Sequence, residues 1–178
     1  MTKYSPTLTQ IDKSGGPHVL FMKGKVGMVY GGDWEAADFT SKDSVVSKKI
    51  NVAELPSIKG KKTSIICGKA NVVSAGTKHQ KAALKLIDFL SSSESFEKLG
   101  KTGKCIPADR NYSQTFFDQY SQYDMGVFQR AAVDYSVAYP ISSKTDWKGI
   151  EDKHMADILN NKVSVSEGCR LMMNELSK

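Results

Sequence analysis

The chain has 178 residues, 40% hydrophobic and 25% charged, with a formal net charge of +6 and a pI near 9.1. That length suits one good-sized domain or parts of two, and it can bury roughly two-thirds of the unfolded surface. No apolar run approaches the roughly 20 residues that span a bilayer, and the opening MTKYSPTLTQ lacks the apolar core of a signal peptide. The basic balance invites a nucleic-acid reading. However, the lysines fall mostly as singles and pairs, and only Arg110, Arg130 and Arg170 supply guanidinium groups, so specific nucleic-acid binding lacks its footprint.

Cys67, Cys105 and Cys169 lie too far apart for a CxxC metal or redox motif, and Cys67 in SIIC reads as a small buried hydrophobe. His18, His79 and His154 are equally scattered. No His/Cys cluster suggests a metal, and no nucleophile stands at a diagnostic spacing from a base. The sequence therefore points to no enzyme and calls for no cofactor.

In chain order, residues 1–20 carry Pro6, Gly15, Gly16 and Pro17 and read as irregular, with one helical turn at 18–22. In KVGMVYGGDW, residues 25–34, the apolar Val26, Met28, Val29 and Tyr30 are dense enough for a strand over 25–30 buried on both faces. Gly31 and Gly32 stop it, Asp33 is placed to N-cap, and a short helix runs to Phe39. Ligands in open α/β sheets sit at the carboxyl ends of strands. The turn sets Trp34 beside backbone that glycine leaves bare, and a ligand-stacking corner and a packed tryptophan are both open on local grounds.

Residues 41–49 are polar loop. INVAEL, 50–55, alternates as a half-buried strand and ends at Pro56, and SIKGKK, 57–62, is a charged linker and the best boundary candidate. Two apolar pieces, 63–67 and 70–74, flank Gly68, and Lys69 between them places the bend near a surface or cleft. Ala82, Ala83, Leu86, Ile87 and Leu90 form a single helical stripe. A second short helix, 94–99, ends at Gly100, and 105–107 is extended. Aromatic-rich helix follows at 112–120, helix at 127–133, and extended chain with Pro140 at 136–143. Two last helices, 146–159 and 164–176, are expected to pack through Trp147, Ile150, His154, Met155 and Ile158 on the first and Val165, Cys169, Met172 and Met173 on the second.

This order of motifs resembles the carbohydrate-binding, maltose-binding-protein-like solute-binding proteins of bacterial ABC importers. FMKGKVGMVYGGDW is similar to that family's F-x-x-G-K-x-A-M-x-x-x-G-x-W segment through Phe21, Gly24, Lys25, Met28, Gly32 and Trp34. VAELPSIKGKK resembles its strand ending in L-P before a glycine-bearing linker. ICGKANVVSAGTKHQKAALKLIDFLSSSESFEKLGKTGKCIPA resembles the following crossing segment, and DWKGIEDKHMADILNNKVSVSEGCRLM resembles the closing helix pair. The resemblance covers about 21–178. Lys69, where the family often has glycine or an aromatic, and Gly168 after Glu167 are departures.

The resemblance implies a periplasmic-binding-protein-like type II α/β fold, partial and helix-rich with a short mixed sheet, of which this chain looks like the C-terminal portion only. It assigns 1–56 to the second lobe, 57–110 to a segment crossing to the first lobe, and 111–178 to the helical remainder of the second. It implies delivery of an extracellular solute, a sugar or oligosaccharide, to the membrane subunits of an ABC permease, from a cell-surface, extracellular or periplasmic location. Trp34 corresponds to a sugar-stacking position, with Gly31, Gly32 and Asp33 beside it. Trp147 is implied near the cleft, with Tyr135 and Tyr139 on its approach, and Gly68 faces the site from the crossing segment. A chain lacking one wall of the cleft is expected to bind sugar weakly or not at all. The alternatives are a binding protein for a non-sugar solute, a non-catalytic structural or interaction domain, and a polyanion-binding surface.

Overall fold

The computed structural model describes residues 4–138 and 146–177. The chain divides into two compact units: Tyr30–Tyr139, and Met1–Val29 together with Pro140–Lys178.

In the larger unit, a 3-10 turn at Asp33–Glu35 leads into α3 (Ala36–Phe39). Further on come β1 (Ser64–Ile66), α4 (Gln80–Leu90) and α5 (Ser93–Lys101), then α6 (Ser113–Phe117), α7 (Gly126–Asp134) and β2 (Ser136–Ala138). The core gathers Ala36, Phe116, Tyr120 and Met125, with Val52, Ile106, Phe117, Tyr123 and Phe128 packed around them. Phe116 is fully buried and tilts against Tyr120 with ring centroids 5.1 Å apart. Tyr120 donates its hydroxyl to the Gly103 carbonyl, and Tyr123 donates to Ser47 O at 2.6 Å, so each ring that enters the core has a partner for its polar end.

The crossing of α5 and α6 explains Gly100, which does not end its helix as expected. A Cβ there would stand 1.8 Å from Thr115 Oγ1 and 3.1 Å from the Phe116 nitrogen, so only glycine lets α6 lie close enough to seat Phe116. The helix runs on to Lys101, and the turn that stops it uses Gly103 at φ +67°.

β1 and β2 form a parallel pair, with Ser64 opposite Ser136, Ile65 opposite Val137 and Ile66 opposite Ala138. The sheet is thus parallel rather than mixed. Ahead of it, the expected linker is a tight turn. Ile58 and Lys61 exchange backbone bonds of 2.8 and 3.0 Å around Lys59 at φ +51° and Gly60 at φ +78°, two successive left-handed residues of the kind a two-residue hairpin turn requires. Glu54 pairs with both Lys62 and Arg130, and Arg130 pairs with Asp124 at 2.6 Å.

Two strand expectations fail, and the apolar piece at 70–74 forms no strand among the described residues either. Residues 25–30 and 50–55 form no ladder among the described residues. Far from being buried on both faces, Met28 is 90% exposed and Tyr30 75%. An apolar run becomes a buried strand only where a neighbour satisfies its backbone and another layer covers it, and local sequence shows neither. Val52 still reaches the core, so part of the alternation in 50–55 survives as half-buried extended chain. Cys67, just past β1, is exposed rather than buried, because β1 itself is poorly covered.

In the smaller unit, residues expected to be irregular form α1 (Leu8–Ser14). Thr7 and Gln10 make a reciprocal capping box, and Gly15 closes the helix at φ +92°. α2 (Pro17–Met22) opens with proline at its first position. α8 (Trp147–Leu159) and α9 (Val165–Leu176) are N-capped by Asp146 and Ser164. They pack where Gly168 has no side chain: a Cβ there would lie 2.3 Å from Cγ1 of buried Ile158. His154, also buried, contacts Glu175 on the facing helix through Nε2 at 2.8 Å, and Lys153 reaches the same carboxylate at 2.9 Å. The expected stripe on α8 is therefore the packed face, although Met155 is 39% exposed. The expected extended run at 136–143 is described only through Ala138; Tyr139 and Pro140 lie outside the described residues. Among the described residues no helix is long and apolar enough to cross a membrane.

Candidate functional site

The glycine corner ahead of α3 is the best-defined candidate in the larger unit. Gly32 holds extended backbone (φ −113°, ψ 171°), and the chain then turns through Asp33–Glu35 into α3, which Ala36 anchors in the core. The Trp34 ring lies against Gly32, where a Cβ would stand 2.2 Å from its Cζ3 atom and 2.3 Å from Cη2. Glycine therefore gives the indole a bare peptide to rest on. At 57% exposed, Trp34 presents most of its surface to solvent. At Gly31 a Cβ would meet the flexible end of Glu35, Oε2 at 2.2 Å, so that position is less constrained than Gly32.

Asp33 is not the helix cap expected of it. Its Oδ2 accepts a 2.7 Å bond from the Ile106 N–H, 73 residues away, and the first helical turn has no side-chain cap. Ile106 packs on the core, so this bond ties the corner to the extended Cys105–Pro107 segment. Burial pushes the Asp33 carboxyl above the ordinary carboxylate range, while the Ile106 and Asp33 backbone amides and the Lys69 charge pull it back. The neighbouring Cys105 thiol is also pushed up, first by burial and then by the Asp33 charge, with Lys69 opposing. Asp33, Lys69 and Cys105 thus share one electrostatic neighbourhood.

Of the residues singled out from sequence, Gly32, Asp33 and Trp34 are brought together. Gly68 is exposed, with open space where a Cβ would be, and it adjoins Lys69, whose charge acts on the corner. Trp147 belongs to the other unit, half-buried at the first position of α8. Tyr135 reaches the Lys62 ammonium, 5.7 Å from its ring centroid, and passes its carbonyl to the Ser64 N–H; Tyr139 lies outside the described residues. Ile106 and Cys105 were missed, since no short-range pattern links positions 33 and 106. Among the described residues no three His, Cys, Asp or Glu side chains are grouped to hold a metal ion.

The candidate site is thus a glycine turn carrying an open tryptophan, in a helix-rich chain with a small parallel sheet. A family model of bacterial extracellular solute-binding proteins matches residues 1–124. The chain belongs to that family, and its architecture is a partial form of the family's α/β fold. The match takes in the whole Gly31–Phe39 corner and the Cys105–Ile106 partner. It lies over the N-terminal part of the chain and stops short of α7, α8 and α9. No solved structure matches the chain.

Proposed function

We propose that this solute-binding protein takes a sugar or oligosaccharide, stacked on Trp34, for delivery to an ABC-type permease from the cell surface or periplasm. The observation that carries the reading is the exposed indole held on the bare peptide of Gly32. A pyranose offers an apolar C–H face edged by hydroxyls. It is matched by a flat aromatic surface beside backbone amides and carbonyls that no Cβ shields. Asp33 is a positioning residue: its bond to Ile106 fixes where the turn sits, and Lys69 balances its charge. Binding and release need no covalent chemistry.

A single aromatic wall contacts one face of the sugar, so affinity for the 178-residue chain is weak. Titrating mono- and oligosaccharides against the Trp147→Phe protein isolates Trp34 fluorescence. The reading predicts saturable change with at least one sugar, in the high-micromolar to millimolar range, and no change in the Trp34→Ala, Trp147→Phe protein. Sub-micromolar affinity, or a response that survives loss of Trp34, contradicts it. Binding of an amino acid or peptide in place of every sugar would move the assignment to a non-sugar solute.

A further inference from the structure

From Val26 to Ser41 the sequence carries Asp33, Glu35 and Asp38 and no Lys, Arg or His, in a chain whose net charge is +6. This stretch holds the Trp34 corner, so the indole stands on a locally acidic segment of a basic protein. Helical geometry decides where the carboxylates fall. The 3-10 turn Asp33–Glu35 runs directly into α3, and residues four apart on a helical segment lie on one side of it. Ala36 enters the core while Trp34 and Asp38 are both exposed, so positions 34 and 38 share the solvent side.

The three carboxylates are not equivalent. Asp33 is committed to the Ile106 N–H, and Lys69 offsets its charge. Glu35 is half-buried and lies over Gly31. Asp38 is exposed, and among the described residues no ion pair or side-chain hydrogen bond engages it. Its charge reaches Tyr120, but that hydroxyl donates to the Gly103 carbonyl and leaves Asp38 uncompensated. An uncompensated carboxylate on the same side as an open indole favours a cation for two separate reasons. The carboxylate attracts it by charge, and the ring attracts it through the negative face of its π-system. A neutral pyranose draws on the apolar face of the ring alone, and an acidic one is repelled by Asp38.

We propose that Asp38 is a specificity-determining residue that selects a cationic saccharide, an amino sugar whose protonated amine lies between the Asp38 carboxylate and the Trp34 ring. The inference rests on the sugar-stacking reading of Trp34 and narrows it to one substrate class.

The test titrates the intact Trp147→Phe chain with glucose, N-acetylglucosamine and protonated glucosamine, read through Trp34 fluorescence. These sugars share a ring and differ at one carbon, which bears a hydroxyl, a neutral amide or a charged amine. The inference predicts that glucosamine binds about five-fold more tightly than either neutral sugar. Asp38→Asn keeps the side-chain shape without the charge and should cut that preference to about two-fold, the share left to the ring. Asp38→Glu should restore it. Salt at about 0.5 M should narrow the preference in the parent chain, because an exposed charge pair is screened. Choline, a cation with no sugar ring, should bind more weakly than glucosamine. Equal affinity for the three sugars, or a preference undiminished in Asp38→Asn, overturns the inference and leaves the Trp34 reading standing. So does tighter binding of glucuronate than of glucose, which gives the site the opposite sign. Choline binding as tightly as glucosamine overturns the amino-sugar assignment. Loss of response to every sugar overturns the Trp34 reading and this inference with it.

Discussion

Replacing Gly100 by alanine isolates the contact that seats the core. In the helix interior this change would ordinarily stabilise by up to about 1 kcal/mol, and less so near the last turn. Here the new methyl carbon would overlap Thr115 Oγ1 at 1.8 Å and press the Phe116 backbone nitrogen at 3.1 Å. Thr115 can swing away only by giving up its 2.6 Å bond to Tyr112 O, at about 1 kcal/mol, and the Phe116 backbone cannot move without dragging a fully buried ring. Overpacking of this kind costs about 1–3 kcal/mol, so the net expectation is a loss of about 2 kcal/mol, or a Tm about 10 °C lower. Urea unfolding followed by circular dichroism measures it. Gly68→Ala is the internal control: nothing lies within 4 Å of its added Cβ, and stability should stay within about 0.5 kcal/mol. Adding Thr115→Ala to Gly100→Ala removes the overlapping oxygen and should recover about 1 kcal/mol relative to additivity. Equal effects at Gly100 and Gly68, or a Gly100→Ala protein more stable than the parent, would refute the packing argument.

Gly168→Ala should separate α8 from α9 by a similar mechanism, since its Cβ would stand 2.3 Å from Ile158 Cγ1; loss of helicity at lower temperature checks it. Glu175 has its carboxyl held below the ordinary range by Lys153 first and His154 second. Its stabilising contribution is complete above the unfolded value near 4.5 and is lost as pH falls through the folded pKa. Thermal unfolding of α8 and α9 should therefore show an acid-side loss that Glu175→Gln flattens. Asp33 has the opposite sign. Its folded pKa is raised from 3.8, so ionisation costs stability as pH rises above that value. Asp33→Asn, which keeps an acceptor for Ile106, should be at least as stable as the parent at pH 7, and a clearly less stable variant would contradict the burial argument. Trp34→Ala should leave stability within about 1 kcal/mol, because the indole is largely exposed.

The features legible in the sequence were those with a local cause. The period of Ala83, Ile87 and Leu90 marked α4, and Asp146 and Ser164 marked the starts of α8 and α9. The glycine pair before Trp34 located the corner. The rest depended on distant partners. The run from Lys25 to Tyr30 has strand composition but no ladder, and the role of Asp33 hinges on an amide 73 positions away. Gly168, a departure from the family pattern, is explained only by Ile158 on the facing helix. The Thr7–Gln10 capping box is a local signal, but Pro6, Gly15, Gly16 and Pro17 around it carry the opposing turn signal.

The most direct test of the central claim is saturation-transfer NMR on the 178-residue chain with a panel of mono- and oligosaccharides. The account predicts transfer to the ring C–H protons of at least one sugar, lost in Trp34→Ala and retained in Gly68→Ala. Transfer of equal strength in the Trp34→Ala protein, or none from any sugar to the parent chain, would contradict it.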